Sequence, residues 1–182
     1  MIEAIKNCNK CTLCENQTPL LDTVKSADVF WVGLSAKKTD KEDEVPLSPE
    51  TNSGALILQA EKMCIGVLTY RTNLVKCVPL DDKGKLRYPS KKEANVCLPN
   101  LTVEIEELKP KIIFLLGNQV REAVGRFYSL AFEGWEDFNY SPVKKNKAYY
   151  VPIHHPSYIH VYKRKNIDDY INSLEGLVNS LI

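Results

Sequence analysis

Three short apolar runs, residues 28–33, 111–117 and 149–153, constrain the fold of this chain more than any other feature. The first two are nearly continuous and end at glycine, which is typical of parallel strands that are buried on both faces. The third contains Pro152, which predicts an edge strand or the end of a strand. Because helical patterns separate the runs, the sequence predicts a parallel sheet with helices on both faces.

A further strand is predicted around Asn73, where the apolar pair Leu74 and Val75 is followed closely by Cys77. In an extended chain Asn73 and Cys77 lie about 13 Å apart, at roughly 3.3 Å per residue. Asn73 either precedes this strand or, if residues 67–70 belong to the strand, marks its end. We favour the second version, because ligands of such sheets bind beyond the carboxyl ends of the strands.

These runs together predict a three-layer α/β/α fold with a central four-stranded parallel sheet. Residues 34–52 form a polar segment too long for a plain connection, so we interpret them as a functional loop. A helix is expected to begin at Ser53 and to end near Gly66. Residues 129–147 show no regular pattern.

Capping signals predict the remaining helices. Ser90 and Glu93 fit a capping box, and the helix that they begin is expected to be interrupted near Pro99. Asn118 is expected to cap the next helix. From Asn166 an amphipathic pattern predicts a helix that closes the chain.

The chain has 182 residues, of which 44% are apolar, and this is enough for one domain over residues 1–182. Its net charge of +1 excludes neither nucleic acid nor small ligands. The N-terminus is charged and no run approaches membrane-spanning length, so we expect a cytoplasmic monomer without a membrane partner.

Six cysteines in a reducing compartment are more often ligands or free thiols than disulfides. Cys8 and Cys11 form a C-x2-C pair, which lets one turn hold a metal centre with two thiolates. The best further ligands are Cys77 and Cys97. Four thiolates hold either zinc or an iron–sulfur cluster, and spacing does not separate the two. Two other cysteines are not needed: Cys64 is interpreted as a core residue, and Cys14 as a spare ligand or a bystander.

The order of the motifs is similar to that of the family 4, or iron–sulfur, uracil-DNA glycosylases. C-x2-C followed by a small residue and Leu begins at Cys8, TN-x-x-KC-x-P at Thr72, and E-x-x-x-C-x-P at Glu93. P-x-x-I-x-x-LG then begins at Pro110, and HP-[AS]-Y at His155. Several ordered matches at sensible intervals are more specific than any one of them.

The resemblance implies a DNA glycosylase that flips a damaged or modified base out of DNA and hydrolyses its N-glycosidic bond, leaving an abasic site. Asn73 would read the base, since an amide offers two donors and one acceptor in one plane. His155 would stabilise the departing base, whereas His154 and His160 are interpreted as structural. The implied cofactor is a structural 4Fe-4S cluster, with zinc as the alternative. Its ligands would be Cys8, Cys11, Cys77 and Cys97.

The first motif of the family, which resembles G-E-A-P-G, is altered here. Leu34 replaces its glutamate, and Leu47 stands where an aromatic residue would stack on uracil. Asp40 is our first choice for the missing carboxylate, with Glu42 and Asp43 as alternatives. The altered motif leaves open a glycosylase for a bulkier modified pyrimidine in defence against foreign DNA. It also leaves open a non-catalytic DNA-binding adaptor on the same fold, or a zinc-stabilised small-molecule enzyme.

Further candidates follow from the same comparison. The family's arginine after HP-[AS]-Y is Val161 here, with basic residues just beyond it. Candidate substrate-binding residues are Asn73, Gly33, Leu34, Ser35 and Leu47. Candidate DNA-contacting residues are Ser53, Ser157, Tyr158, Lys163 and Arg164.

Overall fold

A five-stranded sheet forms the centre of the protein, seen in a computed structural model that describes residues 1–23, 26–41 and 44–182. The strand order is β2-β1-β3-β5-β4. Neighbouring strands are parallel except β4, which is antiparallel to β5. The strands are β1 (Val29–Ser35), β2 (Thr69–Val75), β3 (Ile112–Leu116), β4 (Val143–Lys145) and β5 (Ala148–Ile153).

The sheet therefore has one strand more than the sequence predicts. β4 has only three residues, two of them lysines, so it gives no apolar run and exists by pairing with β5. That pairing stops at Tyr150. Pro152 lies beyond this pairing, near the end of β5. Proline has no backbone N–H to donate, and β4 has no residue opposite Pro152 that would need one.

Helices cover both faces of the sheet, which confirms the three-layer α/β/α prediction. Phe30 and Val32 of β1 pack in one core with residues of α4 and α5, whereas Val29 and Trp31 pack in the other with residues of α3, α6 and α7. This alternation follows from the two-residue period of a strand. The helices are α1 (Ile2–Ile5), α2 (Leu13–Asn16), α3 (Asn52–Met63), α4 (Lys91–Leu108), α5 (Asn118–Tyr128), α6 (Pro156–Tyr162) and α7 (Ile167–Leu181).

Helix α4 begins with the predicted capping box, but the predicted interruption at Pro99 is wrong. The Ser90 side chain accepts a hydrogen bond from the Glu93 backbone, and the Glu93 carboxylate accepts one from the Ser90 backbone. The helix then continues through Pro99 because Leu98 and Leu101, on either side of it, are fully buried and hold the helix on the sheet.

The start of α5 also differs from the prediction. Gly117 is the N-cap, with a φ of 90°, so Asn118 is the first helical residue rather than the cap. The last helix, α7, begins after an Asn166 cap as predicted.

The strands end at one edge of the sheet, and Asn73 lies close to that edge. It pairs in register with Gly33 of β1, and β2 continues two residues further to Val75. Asn73 is thus near the end of its strand rather than at it. In the described part of the chain, none of the helices has the length and apolar character needed to cross a bilayer.

Candidate active site

A cavity of about 1000 Å³, here called the sheet-edge cavity, opens at the carboxyl ends of the parallel strands. β1, β2 and β3 and the segment after β5 each contribute residues to it. Eight of the sequence-predicted site residues line it: Leu34, Ser35, Leu47, Ser53, Asn73, His155, Ser157 and Tyr158.

Asn73 is buried on β2 and its amide lies directly against Gly33. A Cβ atom on residue 33 would come within 2.4 Å of Asn73 Oδ1, so only glycine leaves room for this amide. Within the described ranges, the Asn73 amide makes no hydrogen bond with another protein group. Its donors and acceptor are therefore available to a ligand in the cavity.

His155 is the N-cap of α6 and its ring is held by Ser157. Nδ1 accepts a hydrogen bond from the Ser157 backbone at 3.1 Å, and Ser157 Oγ lies 2.7 Å from the same nitrogen. Burial, and then the charge of Lys37, lower the pKa of His155 to about 4. The imidazole is neutral at pH 7, and because Nδ1 is an acceptor we assign its proton to Nε2.

Leu47 packs against Gly33 from the loop that precedes α3. Its φ of 53° is left-handed, which is costly for leucine, so its surroundings must hold it there. Arg71 Nη1 donates to the Leu47 carbonyl at 2.7 Å, and Glu61 fixes Arg71 in turn. A Cβ on Gly54 would lie 2.3 Å from that carbonyl. The Leu47 side chain is therefore firmly placed at the cavity wall.

Among the described residues, Glu44 lines this wall and the predicted Asp40 does not. Asp40 is exposed and is not among the residues that line the cavity, and the alternatives Glu42 and Asp43 lie outside the described residues. Glu44 lines the cavity and accepts a hydrogen bond from Thr39 Oγ1 at 3.5 Å. Sequence reasoning missed Glu44 because it is one of several acids in the same loop.

Three cations also line the sheet-edge cavity, and sequence reasoning missed these as well. They are Lys37, Lys38 and Arg87. The available signal for the lysines was their place directly after the altered first motif. The charge of the two lysines favours an anionic group in the cavity, whereas Arg87 is paired with Glu93.

Two predicted DNA-contacting residues, Lys163 and Arg164, lie just after α6 and not among the lining residues. Arg164 is exposed, and Lys163 Nζ lies 4.0 Å from Asp137 Oδ1. The other two histidines are engaged with the protein. His154 Nδ1 lies 2.8 Å from the Tyr140 hydroxyl, and His160 Nε2 lies 2.9 Å from the Asn52 carbonyl.

A second, smaller cavity, here called the cysteine cavity, is formed by the N-terminal segment, the end of β2 and α4. Asn100 Nδ2 lies 3.5 Å from Cys8 Sγ and 3.7 Å from Cys97 Sγ, and the Lys76 backbone donates to Cys97 Sγ at 3.4 Å. The cysteines that line it are Cys8, Cys11, Cys14, Cys77 and Cys97.

Burial, and then the neighbouring thiols, raise the pKa of Cys77 to about 12. No three His, Cys, Asp or Glu side chains among the described residues are arranged to hold a metal ion. The sixth cysteine, Cys64, is buried in the core, as the sequence predicted.

Comparison with known proteins assigns the chain to a family. The model of the uracil DNA glycosylase superfamily matches residues 23–176. The chain belongs to the uracil DNA glycosylase superfamily. The matched residues include Asn73, His155 and the whole sheet.

Curated relatives confirm the resemblance to family 4. A type-4 uracil-DNA glycosylase of Sulfurisphaera tokodaii is 27% identical over 170 residues, which cover 91% of this chain and 68% of the relative. Another, of Pyrobaculum aerophilum, is 34% identical over 121 residues, which cover 63% of this chain and 58% of the relative. The superfamily membership and these names support the predicted DNA glycosylase.

A solved structure confirms the fold. The crystal structure of wild-type SMUG2 from Pedobacter heparinus superimposes with a TM-score of 0.55 at 13% identity, covering 86% of this chain and 76% of that one. At this identity the likeness shows a common fold.

Proposed function

We propose that this member of the uracil DNA glycosylase superfamily flips a base out of DNA into the sheet-edge cavity and hydrolyses its N-glycosidic bond. One observation supports the proposal above all. A neutral imidazole with an available N–H, on His155, lines the same cavity as the Asn73 amide, which makes no hydrogen bond with any described residue. An abasic site in the DNA is the product.

The reaction needs a hydrogen-bond donor to the departing base more than it needs a strong acid. When the bond between base and sugar breaks, the base leaves with the electron pair as an anion and the sugar becomes cation-like. Nε2–H of His155 donates a hydrogen bond to that anion, and Lys37 and Lys38 stabilise its charge from the cavity wall. Because the imidazole is neutral, its Nδ1 accepts the hydrogen bond from the Ser157 backbone while its Nε2–H donates to the base.

Asn73 pairs with the polar edge of the flipped base, and a carboxylate completes the site. The carboxylate stabilises the cation-like sugar or orients the attacking water. Glu44 is better placed for this role than Asp40, because Glu44 lines the cavity. The water adds its oxygen to the sugar carbon, and its proton passes to solvent or to the departing base.

We also propose that the cysteine cavity holds a 4Fe-4S cluster through Cys8, Cys11, Cys77 and Cys97. Five cysteines line this cavity, so it supplies the four thiolates that a cluster needs. Zinc, which four thiolates also bind, is the alternative. The N–H donors of Asn100 and Lys76 suit cluster sulfurs. Bound there, the cluster has a structural role, linking the N-terminal segment to β2 and α4.

Uracil is the first candidate base, since the curated relatives are uracil-DNA glycosylases by name. A specific observation favours a bulkier modified pyrimidine as the second candidate. Leu47 provides an aliphatic wall where the family resemblance implies an aromatic ring.

A base panel tests the proposal. Purified protein is incubated with oligonucleotides that carry uracil, hypoxanthine, hydroxymethylated or glycosylated pyrimidines, and abasic sites are then cleaved by alkali. We expect strand breaks with at least one base, reduced at least 100-fold in His155→Ala and in Asn73→Ala. His160→Ala is the matched control, because its ring is bonded to the Asn52 carbonyl, and it should retain activity.

Binding without strand breaks on any base of the panel would support the adaptor hypothesis instead. Colourless protein that contains zinc and lacks iron and sulfide would contradict the cluster proposal without affecting the excision proposal.

A further inference from the structure

A short hairpin between β2 and α4, residues 80–88, forms one wall of the sheet-edge cavity. Leu80 and Leu86 pair across it, and the Asp81 carboxylate accepts backbone hydrogen bonds from Lys83 and Lys85 at 2.9 and 2.8 Å. Three of its residues, Leu86, Arg87 and Tyr88, line the cavity. The candidate site described above uses none of the hairpin's side chains for the base.

The hairpin is fixed to the start of α4 by Arg87. Its guanidinium donates to both Glu93 oxygens, at 2.9 and 2.6 Å, and to the carbonyls of Leu80 and Tyr88, at 2.9 and 3.0 Å. Glu93 is itself tied into the capping box of α4 with Ser90. One side chain thus holds both ends of the hairpin in place before any ligand arrives.

Tyr88, at the end of this hairpin, is 74% exposed, and Leu86 beside it is 53% exposed. In the described residues the Tyr88 ring has no aromatic partner, and its hydroxyl makes no hydrogen bond. An exposed aromatic ring on a pre-organised backbone is a low-entropy stacking surface, because few degrees of freedom are lost when a flat ligand binds.

The charge around Tyr88 suits a polyanion. Four exposed lysines lie on the same hairpin and on the first turn of α4, and none forms an ion pair in the part of the chain described here. They are Lys83, Lys85, Lys91 and Lys92. The acidic residues of this region are fewer than the lysines. Asp81 accepts hydrogen bonds within the turn and Glu93 pairs with Arg87, which leaves Asp82.

We propose that this hairpin binds the DNA strand beside the flipped nucleotide, with Tyr88 stacked on the neighbouring base and the four lysines at its phosphates. The inference rests on the proposed function, because a base that rotates into the cavity leaves a face of its neighbour unstacked. Tyr88 replaces the lost stacking partner from the cavity rim. Its position beside the cavity that His155 lines places it within reach of an adjacent nucleotide.

Binding to oligonucleotides with a stable abasic analogue, tetrahydrofuran, tests the stacking without any need for catalysis. Fluorescence anisotropy gives Kd for wild type, Tyr88→Ala and Tyr88→Phe. We expect Tyr88→Ala to bind about 5- to 100-fold more weakly, the range for one stacked base, and Tyr88→Phe to bind like wild type. Phe127→Ala, an exposed aromatic substitution at the far end of α5, is the matched control and should have no effect.

The same measurement on a second oligonucleotide decides what Tyr88 touches. When the neighbouring nucleotides on both sides are also replaced by tetrahydrofuran, wild type and Tyr88→Ala should bind equally. An unchanged Kd for Tyr88→Ala on the first oligonucleotide would overturn the stacking proposal. So would a loss that persists when the neighbouring bases are absent.

The lysines are tested by salt dependence. Replacing Lys83, Lys85, Lys91 and Lys92 by Gln should reduce the slope of log Kd against log salt, because fewer counterions are released. Lys144→Gln with Lys147→Gln, on the β4 edge of the sheet, is the control. An unchanged slope would overturn the phosphate contacts.

Wild-type protein that binds no DNA at all would overturn both this inference and the proposed function, whereas normal binding with an unaffected Tyr88→Ala would overturn this inference alone.

Discussion

His155 illustrates how one residue's surroundings set its chemistry. Its Nδ1 is used as the cap of α6, so the ring has one free nitrogen, and burial keeps that ring neutral. The residue that faces the cavity is therefore a hydrogen-bond donor at neutral pH. It is not a protonated imidazolium that could act as a general acid at this pH.

This neutrality predicts an unusual pH profile. Because the pKa of folded His155 is about 4, the rate of excision should show no inflection near pH 6.5 from this group and should fall as pH drops through about 4. The free imidazole titrates near 6.5, so the unfolded chain binds this proton first as pH falls. Folding stability from His155 is thus complete above pH 6.5 and is lost between pH 6.5 and 4.

Ring chemical shifts of His155, assigned with His155→Ala, measure this directly by NMR. They should stay constant from pH 8 to pH 5. A titration of His155 centred near pH 6.5 would show that the ring is not held neutral.

Gly33 gives a second prediction at this scale. Gly33→Ala should reduce excision as strongly as Asn73→Ala, because its Cβ would lie 2.4 Å from Asn73 Oδ1 and 2.9 Å from the Leu47 side chain. Single-turnover rates check this, and iron content, expected to be unchanged, is the control. Wild-type rates in Gly33→Ala would show that the position of the amide does not matter.

At the scale of elements, a buried ion pair joins β2 to α4. Lys76 and Glu104 are both fully buried and form a direct salt bridge. Lys76 Nζ also donates to Thr72 Oγ1 and to the Asn73 carbonyl, each at 2.6 Å, and Tyr70 donates to Glu104 at 3.0 Å. The segment that carries Asn73 is therefore fixed by charge as well as by the sheet.

Breaking this pair from one side should be costly. Lys76→Met is expected to lower the free energy of unfolding by about 3–5 kcal/mol, because Glu104 remains buried without its partner. Urea denaturation measures the change. Lys111→Met is the matched control, since the Lys111–Asp28 pair is half exposed and such pairs contribute about 0–1 kcal/mol. Equal losses in the two variants would contradict the structural role of the buried pair.

At the scale of the whole molecule, the N-terminal segment, the end of β2 and α4 meet at the cysteine cavity, where the proposed cluster would link them. Cys77→Ser should therefore lose iron and sulfide together, and limited proteolysis should then cut near Lys6 and Lys10 first. Cys64→Ser is the control, because that thiol is buried in the opposite core, and it should keep its iron. Full iron content in Cys77→Ser would exclude this residue as a ligand.

Sequence reasoning predicted the layered fold and eight of the residues that line the cavity, because apolar runs, strand ends and motif matches carry that information. It missed β4, which has no apolar run and depends on pairing with β5. It named Asp40 first, with Glu42 and Asp43 as alternatives, and did not consider Glu44, because spacing along a loop does not show which side chain lines the cavity. Similarly, Arg87 and Tyr88 have no local signal, since their places depend on contacts with α4 and with the cavity wall.

A crystal structure with bound DNA tests the central claim, that His155 and Asn73 act on one base, most directly. The oligonucleotide would carry the best base of the panel on a 2′-fluorinated sugar, which resists cleavage. We predict that base in the sheet-edge cavity, with His155 Nε2 and the Asn73 amide both within hydrogen-bond distance of its polar edge. A base still stacked in the DNA, or flipped beyond reach of both side chains, would contradict the account.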